Sequence, residues 1–558
     1  MYSFGKRERW ALAGLLILVI PAMLINLGIV PLYAEEPRRA TVALEMLLRH
    51  NWLVPSINGE FYQLKPPVFN WIIASIYRVT NEPSEFYTRL TSVVSLLALG
   101  LVMFLIGKKY VSASFGALSS LLFITASGNL FFNVLLAEID IFYSLVTYTG
   151  LISLFHFYQR KKFFTLFLII YFLGAVGTLT KGLPSLLFTG LSVLAFFLVN
   201  RDFRKLFTLS HFAGILLYMG IVGGYFLAYS RQGDAVSYML HLSDESGKRF
   251  SGDTFWDYFH HMALYPLDTL MNLLPVSVML LFVFRKSFMA DIRASSLMSF
   301  ALLMLAVHFP VYWLPPGGRQ RYIIMLYPFI VQVLAYFFLL YFRKEDRLFR
   351  IFSVIITIAL ATGALACLVP PFIDRMGFIE GLVPVCIISF LLMLLLLVLQ
   401  VKKNLYSVIY LLFAMAILRF VFSIAVLPVR ATEGRAPENK QAALEIAKLT
   451  EGNQVCILQP TYFPMQSVFY FERERLEILK ICPQIRPGIY HIIDKSLLHE
   501  YSYYRETSPL TLNPLRAFSD RYSGDVEEKV SDYVFTTHLE FQLQKNQYLL
   551  IRPIRPRL

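Results

Sequence analysis

The stretch VPLYAEEPRRATVALEML, residues 30–47, decides how the chain is read. It begins where a run without charged side chains, residues 10–30, comes to an end. Such a run is long enough to cross a bilayer core of about 30 Å as a helix. Two adjacent acids, a proline and two arginines then follow. Proline suits the first turn of a helix, where a missing N–H has no intrahelical partner to lose. Beyond it Ala40, Ala43, Leu44, Leu47 and Leu48 fall at i, i+3, i+4, i+7 and i+8, leaving Arg38, Thr41, Glu45 and Arg49 towards the other side. That spacing predicts a helix lying on a membrane surface, with Glu35 and Glu36 at the boundary.

Outward from this stretch, apolar blocks recur along the whole chain. With 57% hydrophobic and 15% aromatic residues in 558, an ordinary soluble enzyme is excluded. The expected spans are 10–30, 89–107, 112–131, 139–158, 163–180, 183–199, 208–229, 265–284, 296–313, 322–342, 349–370, 379–400 and 405–428, thirteen in all. Threading them with the N-terminus inside puts Lys6, Arg7 and Arg9, Lys108 and Lys109, Arg160 to Lys162, Arg201 to Lys205, Arg285 and Lys286, Arg343 to Arg350, and Lys402 and Lys403 on the cytoplasmic side. Every inner loop then obeys the positive-inside rule. The net charge of +14 is thus mostly topology, and no basic face or RNA-binding motif points to nucleic acid. Leu32-Tyr33-Ala34 is a poor signal-peptidase site after so long an apolar run, so the first span is read as retained.

The expected fold class is an α-helical polytopic membrane protein with a C-terminal extracytoplasmic α/β domain. Residues 1–429 form the transmembrane part, with outer-face juxtamembrane helices at about 36–50 and 66–79, and residues 430–558 form the soluble part. The tail is far less apolar, with strand-like runs QVCILQ, YHIID, DYVFTT and QYLLIRP and a helical run APENKQAALEIAKLT. Cys456 and Cys482 in the tail are either a disulfide or two free thiols, and Cys367 and Cys386 are packing residues within spans. The sequence holds no zinc-like Cys/His spacing, P-loop or dinucleotide-binding glycine motif.

The same threading gathers charged residues on the outer side: the first loop, Glu138 and Asp140, Lys181, residues 230–264 and LPPGGRQRY at 314–322. Charges entering a membrane face are costly unless paired or used. Each has a plainer reading too. Asp140 and Glu138 suit a helix N-terminus whatever the function, Lys181 at a span end can snorkel, and His260 and His261 suit an aromatic interface.

Together these segments resemble the membrane glycosyltransferases of the GT-C fold, nearest the branch of the lipid A aminoarabinose transferases and protein O-mannosyltransferases. The resemblance is carried by Glu35-Glu36-Pro37-Arg38, Tyr62-Gln63-Leu64-Lys65-Pro66-Pro67, LLAEIDIFYSL, LTKGLPSLL, the KRF at 248–250 and GGRQRYIIMLYP, in order over most of residues 1–430. It implies sugar transfer from a polyprenyl phosphate (undecaprenyl phosphate) carrier to an acceptor at the outer face of the inner membrane, lipid A being one candidate and a protein hydroxyl or another surface glycan the rivals. By family position Glu35 or Glu36 is the catalytic acid. Arg38, Lys65, Arg249, Arg319, Arg321, Tyr62 and Tyr322 bind the donor phosphate or line its cavity, and Glu138 and Asp140 form an acceptor or second acidic site. Fixed cations of this kind answer the charge that develops on a departing phosphate.

Two departures stand out. The family's first acid is usually Asp, whereas Glu35 is one methylene longer, so the roles of Glu35 and Glu36 stay exchangeable. Leu64 replaces a glutamate that, with a later histidine, can hold a metal in the family. No divalent metal is therefore expected, with His260 and His261 the donors still nearby in sequence. The rival from another class is a lipid or polysaccharide transporter, in which charged span mouths mark a substrate path.

Overall fold

The computed structural model describes residues 2–247, 255–316, 318–342, 346–486, 488–494, 514–520 and 546–551; at residues 245–247, 255, 257, 514–520 and 546–551 only the backbone is considered. Arg249, the basic Arg343 and Lys344, and the run DYVFTT lie outside the described residues. The chain divides into two compact units. The first holds Met1–Ile29, Gln63–Ile73 and Phe86–Val429, and the second holds Val30–Tyr62, Ala74–Glu85 and Arg430–Leu558.

The first unit is all helical. Among the described residues nine helices are long and apolar enough to cross a membrane, or eleven if each of two bent pairs is one span. The shortfall from thirteen has a local cause in each case. The expected span 10–30 is the helix Lys6–Leu24, whose first turn is charged and whose apolar part is only residues 10–24. The span 183–199 is the helix Leu183–Val199, which has 17 residues. The run 112–131 breaks into Ala113–Thr125 and Ser127–Leu135 at 49°, and 265–284 falls across Tyr258–Asn272 and Val276–Phe282, bent by 110°. Pro275 stands at that second break, where a helix cannot keep its i−4 hydrogen bond.

Close backbone approach sets the packing of neighbouring helices. A Cβ on Gly116 would sit 2.5 Å from the Phe104 carbonyl oxygen, so Glu85–Tyr110 and Ala113–Thr125 meet only because glycine stands there. Polar links tie the first helix to the last, Ser407–Thr432. Ser423 donates to the Ala22 carbonyl at 2.9 Å, and Asn26 donates to the Ser423 carbonyl at 2.9 Å.

The second unit is α/β. A short hairpin pairs β1 (Ser56–Ile57) with β2 (Glu60–Phe61). Asn58 and Gly59 form its turn, both at positive φ (56° and 77°), as an Asn-Gly hairpin turn requires. The main sheet holds β3 (Val455–Leu458), β4 (Lys480–Cys482), β5 (Tyr490–Asp494), β6 (Pro514–Asp520) and β7 (Asn546–Ile551) in the order β4-β3-β5-β7-β6. β4, β3 and β5 run parallel, and β7 and β6 add antiparallel. Cys456 and Cys482, on neighbouring strands, form a disulfide. Glu85, buried in this unit, is held by Lys440 at 2.6 Å, Arg473 at 3.1 Å and the Tyr470 hydroxyl at 3.1 Å.

The helix Glu36–Leu48 forms where the sequence places it, but its polar side is not left to solvent. Thr41 and Glu45 are fully buried. The helix Met465–Arg475 supplies the reason, bringing the equally buried Glu472 close enough for its charge and that of Glu45 to act on each other. Glu45 also accepts from the Ser56 hydroxyl at 2.5 Å and from the Gly59 N–H at 3.2 Å, and Glu472 accepts from the Leu479 N–H at 3.0 Å.

Burial, and then the Glu45 charge, lift Glu472 well above the usual carboxylate range, and burial raises Glu45 as well. The pair therefore keeps a proton that the unfolded chain releases near pH 4.3, roughly the value for an unperturbed glutamate. Above that pH the native state binds more protons than the unfolded one, so stability falls as pH rises and the contribution is gone once the pH passes the raised native value. Glu472→Gln keeps a donor towards Glu45 without titrating. Melting of full-length protein in detergent, followed by proteolysis of residues 435–475, should show a flatter pH dependence in the variant and a higher midpoint than wild type at alkaline pH. An unchanged slope would place the proton elsewhere.

Candidate active site

In the second unit the site residues sit at the start of one helix. Glu35 is the N-cap of Glu36–Leu48, and Ala34 before it is held at φ 53°, a left-handed conformation that costs an alanine strain and turns the chain sharply into the helix. Arg38 and Arg39 follow at i+3 and i+4, so both return to Glu35. Arg38 Nη1 donates to Glu35 Oε2 at 2.7 Å, and Arg39 Nη2 lies 3.7 Å from the same oxygen. Arg39 Nη1 donates to the Tyr62 hydroxyl at 2.7 Å. Glu35 Oε1 has none of the described contacts, and the Glu35 side chain is one-third exposed (33%).

Glu36 differs from its neighbour. It is fully buried, and its Oε2 accepts the Tyr33 N–H at 3.2 Å, which ties down the entry to the helix. An acid in the first turn also meets the positive end of the helix dipole. Of the two adjacent acids, one is partly exposed and one is buried against the chain that enters the helix.

In the first unit a second cluster forms from three segments. Glu138 is the N-cap and Asp140 lies in the first turn of Ile139–Gln159. Lys181 ends the helix Phe163–Lys181, where Gly182 at φ 88° reverses the chain and Pro184 opens the next helix. Arg321 and Tyr322 lie in the 3₁₀ turn Gln320–Leu326. Lys181 Nζ donates to Asp140 Oδ1 at 2.5 Å, and its ammonium lies 4.8 Å from the centre of the Tyr143 ring and 5.2 Å from that of Tyr322. Arg321 Nη1 meets Glu138 Oε2 at 3.5 Å. Lys65 is close enough for its charge to act on Asp140, and its carbonyl accepts the Tyr238 hydroxyl at 2.7 Å. The cluster can neutralise an anion with two or three cations while its two acids hold those cations in place.

Residues 64–224 match the family described as dolichyl-phosphate-mannose-protein mannosyltransferase. The fold is similar to that of ArnT from Cupriavidus metallidurans, in the apo state (TM-score 0.66, 15% identity, 98% of each chain) and bound to undecaprenyl phosphate (TM-score 0.66, 17% identity, 90% of this chain and 95% of that one). The chain thus shares the fold of a polytopic membrane protein, and one stretch of it matches a mannosyltransferase family model. An uncharacterized protein of Aquifex aeolicus is 26% identical over 368 residues, which is 63% of this chain and 69% of the relative.

Three further expected residues lie near Tyr265 and Tyr312 or at the surface. Arg319 is exposed, and its carbonyl accepts the Tyr265 hydroxyl at 3.2 Å. His260 is exposed, and His261 Nε2 contacts the Tyr312 carbonyl at 3.2 Å with its ring against Tyr265. Neither histidine belongs to a metal-ligand group among the described residues. The group of donors there close enough to share an ion is Cys456, Cys482 and His491, but both sulfurs are spent on the disulfide. Two residues went unsingled in the sequence. Arg39 was legible through its i+4 spacing from Glu35; Glu85 was not, because its partners lie some 350 residues away.

The Lys181–Asp140 pair is nearly dry, with side chains 5% and 11% exposed. Removing one member of such a pair strands the other charge, at a cost of about 3–5 kcal/mol. Asp140→Asn and Lys181→Met should each lower the melting temperature in detergent, while the double variant should lie closer to wild type than the summed losses predict. Strictly additive losses would show that the two charges are not coupled.

Proposed function

We propose that this protein is a membrane glycosyltransferase that moves a sugar from a polyprenyl phosphate carrier to an acceptor at the outer face of the cytoplasmic membrane. The undecaprenyl phosphate held by the similarly folded ArnT supports the choice of donor. The distribution of basic residues supports an odd number of spans with the N-terminus inside, which leaves residues 430–558 extracytoplasmic. The observation that carries the site assignment is Glu35, whose Oε2 is neutralised by two guanidiniums while Oε1 stays open.

In this reading an acceptor oxygen attacks the anomeric carbon as the bond from that carbon to the phosphate oxygen breaks. The electron pair leaves with the phosphate, and the acceptor proton passes to Glu35 Oε1. Lys65, Arg321 and Arg249 meet the charge that develops on the polyprenyl phosphate, with Tyr322 lining the site. Glu138 and Asp140 hold the cations when no phosphate is bound, so the cluster never stands as uncompensated positive charge in an apolar unit. Glu36 holds the entry to the helix and is not the base. No resident metal is assigned.

The acceptor is a lipid, lipid A in particular, or a protein hydroxyl; the family matched by residues 64–224 favours keeping the protein acceptor. Mass spectrometry of envelope lipids and glycoproteins from a deletion strain separates the two.

Purified protein given a polyprenyl phosphate sugar and an envelope extract should release free polyprenyl phosphate, whereas a transporter leaves the donor intact. Glu35→Gln should lower that release by about 100-fold or more, within the range for loss of a general base. Lys65→Ala should do likewise, and Glu36→Gln should retain turnover but melt earlier. Loss of turnover in Glu36→Gln with Glu35→Gln unaffected would exchange the two roles.

A further inference from the structure

We infer that Arg39 is a positioning residue of the site, holding Glu35 and Tyr62 in one arrangement. The inference rests on the reading of Glu35 as the base. Arg39 is 3% exposed, and a guanidinium so far out of water needs partners on its polar edge. Every described side-chain contact of that edge goes to a proposed site residue. Nη2 faces Glu35 Oε2 at 3.7 Å, and Nη1 donates to the Tyr62 hydroxyl at 2.7 Å, with the guanidinium 5.8 Å from the centre of the Tyr62 ring. Glu35 and Tyr62 lie on separate segments, one at the helix N-terminus and one just after β2, so a single planar fork joins them.

The fork has two chemical consequences. At Glu35 it takes the oxygen already held by Arg38, which leaves Oε1 as the outward oxygen with a fixed direction. Arg38 is one-third exposed (34%) and its attraction is screened by water and salt; Arg39, 4% exposed at the side chain, acts through drier surroundings and is screened less. At Tyr62 the hydroxyl oxygen accepts from Arg39, so its own hydrogen is free to donate to a ligand oxygen. Lysine offers the same charge without the planar fork, so it cannot serve both partners in this geometry.

A residue that sets the direction of a base affects turnover more than binding, because misplacement by about 1 Å costs about 100-fold in rate. The test measures kcat and donor KM, with melting temperature alongside, for wild type, Arg39→Met, Arg39→Lys, Arg38→Gln and Glu35→Gln. Expected are a loss of about 10- to 100-fold in kcat for Arg39→Met with donor KM within about twofold of wild type, partial recovery of kcat in Arg39→Lys, and a smaller loss for Arg38→Gln. A lower melting temperature or a raised KM with kcat unchanged in Arg39→Met would overturn the inference while leaving Glu35 as the base. Full turnover by Glu35→Gln would remove the base assignment and the inference together.

Discussion

The burial of two neighbouring carboxylates, Glu45 and Glu472, is the constraint on which the second unit turns. A helix meant for a membrane surface or for solvent keeps its charged side wet; the helix Glu36–Leu48 buries Thr41 and Glu45 completely. Two carboxylates cannot both stay ionised in so dry a place, so Glu472 is held protonated well above the usual carboxylate range where Met465–Arg475 meets the helix. Ser56 and Gly59 satisfy the oxygen positions of Glu45, which fixes the Asn-Gly hairpin against the same helix. With its third turn held in this way, the helix presents its first turn, and Glu35, at a set angle.

The same rule of paired charge governs the first unit. Lys181 and Asp140 compensate each other where neither has water, and Arg321 with Glu138 does so in a more open place. In apolar surroundings bare cations repel one another and desolvate at high cost. Acids at the helix N-terminus of Ile139–Gln159 meet that cost, and the dipole of the helix helps to hold them ionised. The looser of the two pairs, at 3.5 Å, is the one an incoming anion would compete with most easily.

Long apolar runs were legible in the sequence because bilayer thickness sets a length that composition alone reveals, and each expected run corresponds to a helix or a bent pair of helices. The 110° bend near Pro275 was not foreseen, since hydropathy carries no direction. In the helix Glu36–Leu48 the apolar stripe set the helix itself but concealed what covers the polar side, because Glu472 lies more than 400 residues further on. Glu85 likewise looked like one acid at the start of a span until Lys440 and Arg473 closed around it. Asn58-Gly59 was an available hairpin signal, and the spacing of Arg39 from Glu35 an available pairing signal; both were local and could have been used.

The length of Glu35 bears on the chemistry as well as on the family comparison. An acid at an N-cap lies beside the i+3 and i+4 side chains, and the extra methylene of glutamate lets its carboxylate reach over them instead of folding back onto the helix N–H groups, as a capping aspartate tends to do. No side-chain capping bond is made here by Glu35, and both arginines meet one oxygen. Glu36, fully buried, instead ties down the residues that enter the helix by accepting the Tyr33 N–H. The two adjacent acids thus differ in duty, and the one without a backbone partner is the one left with an open oxygen.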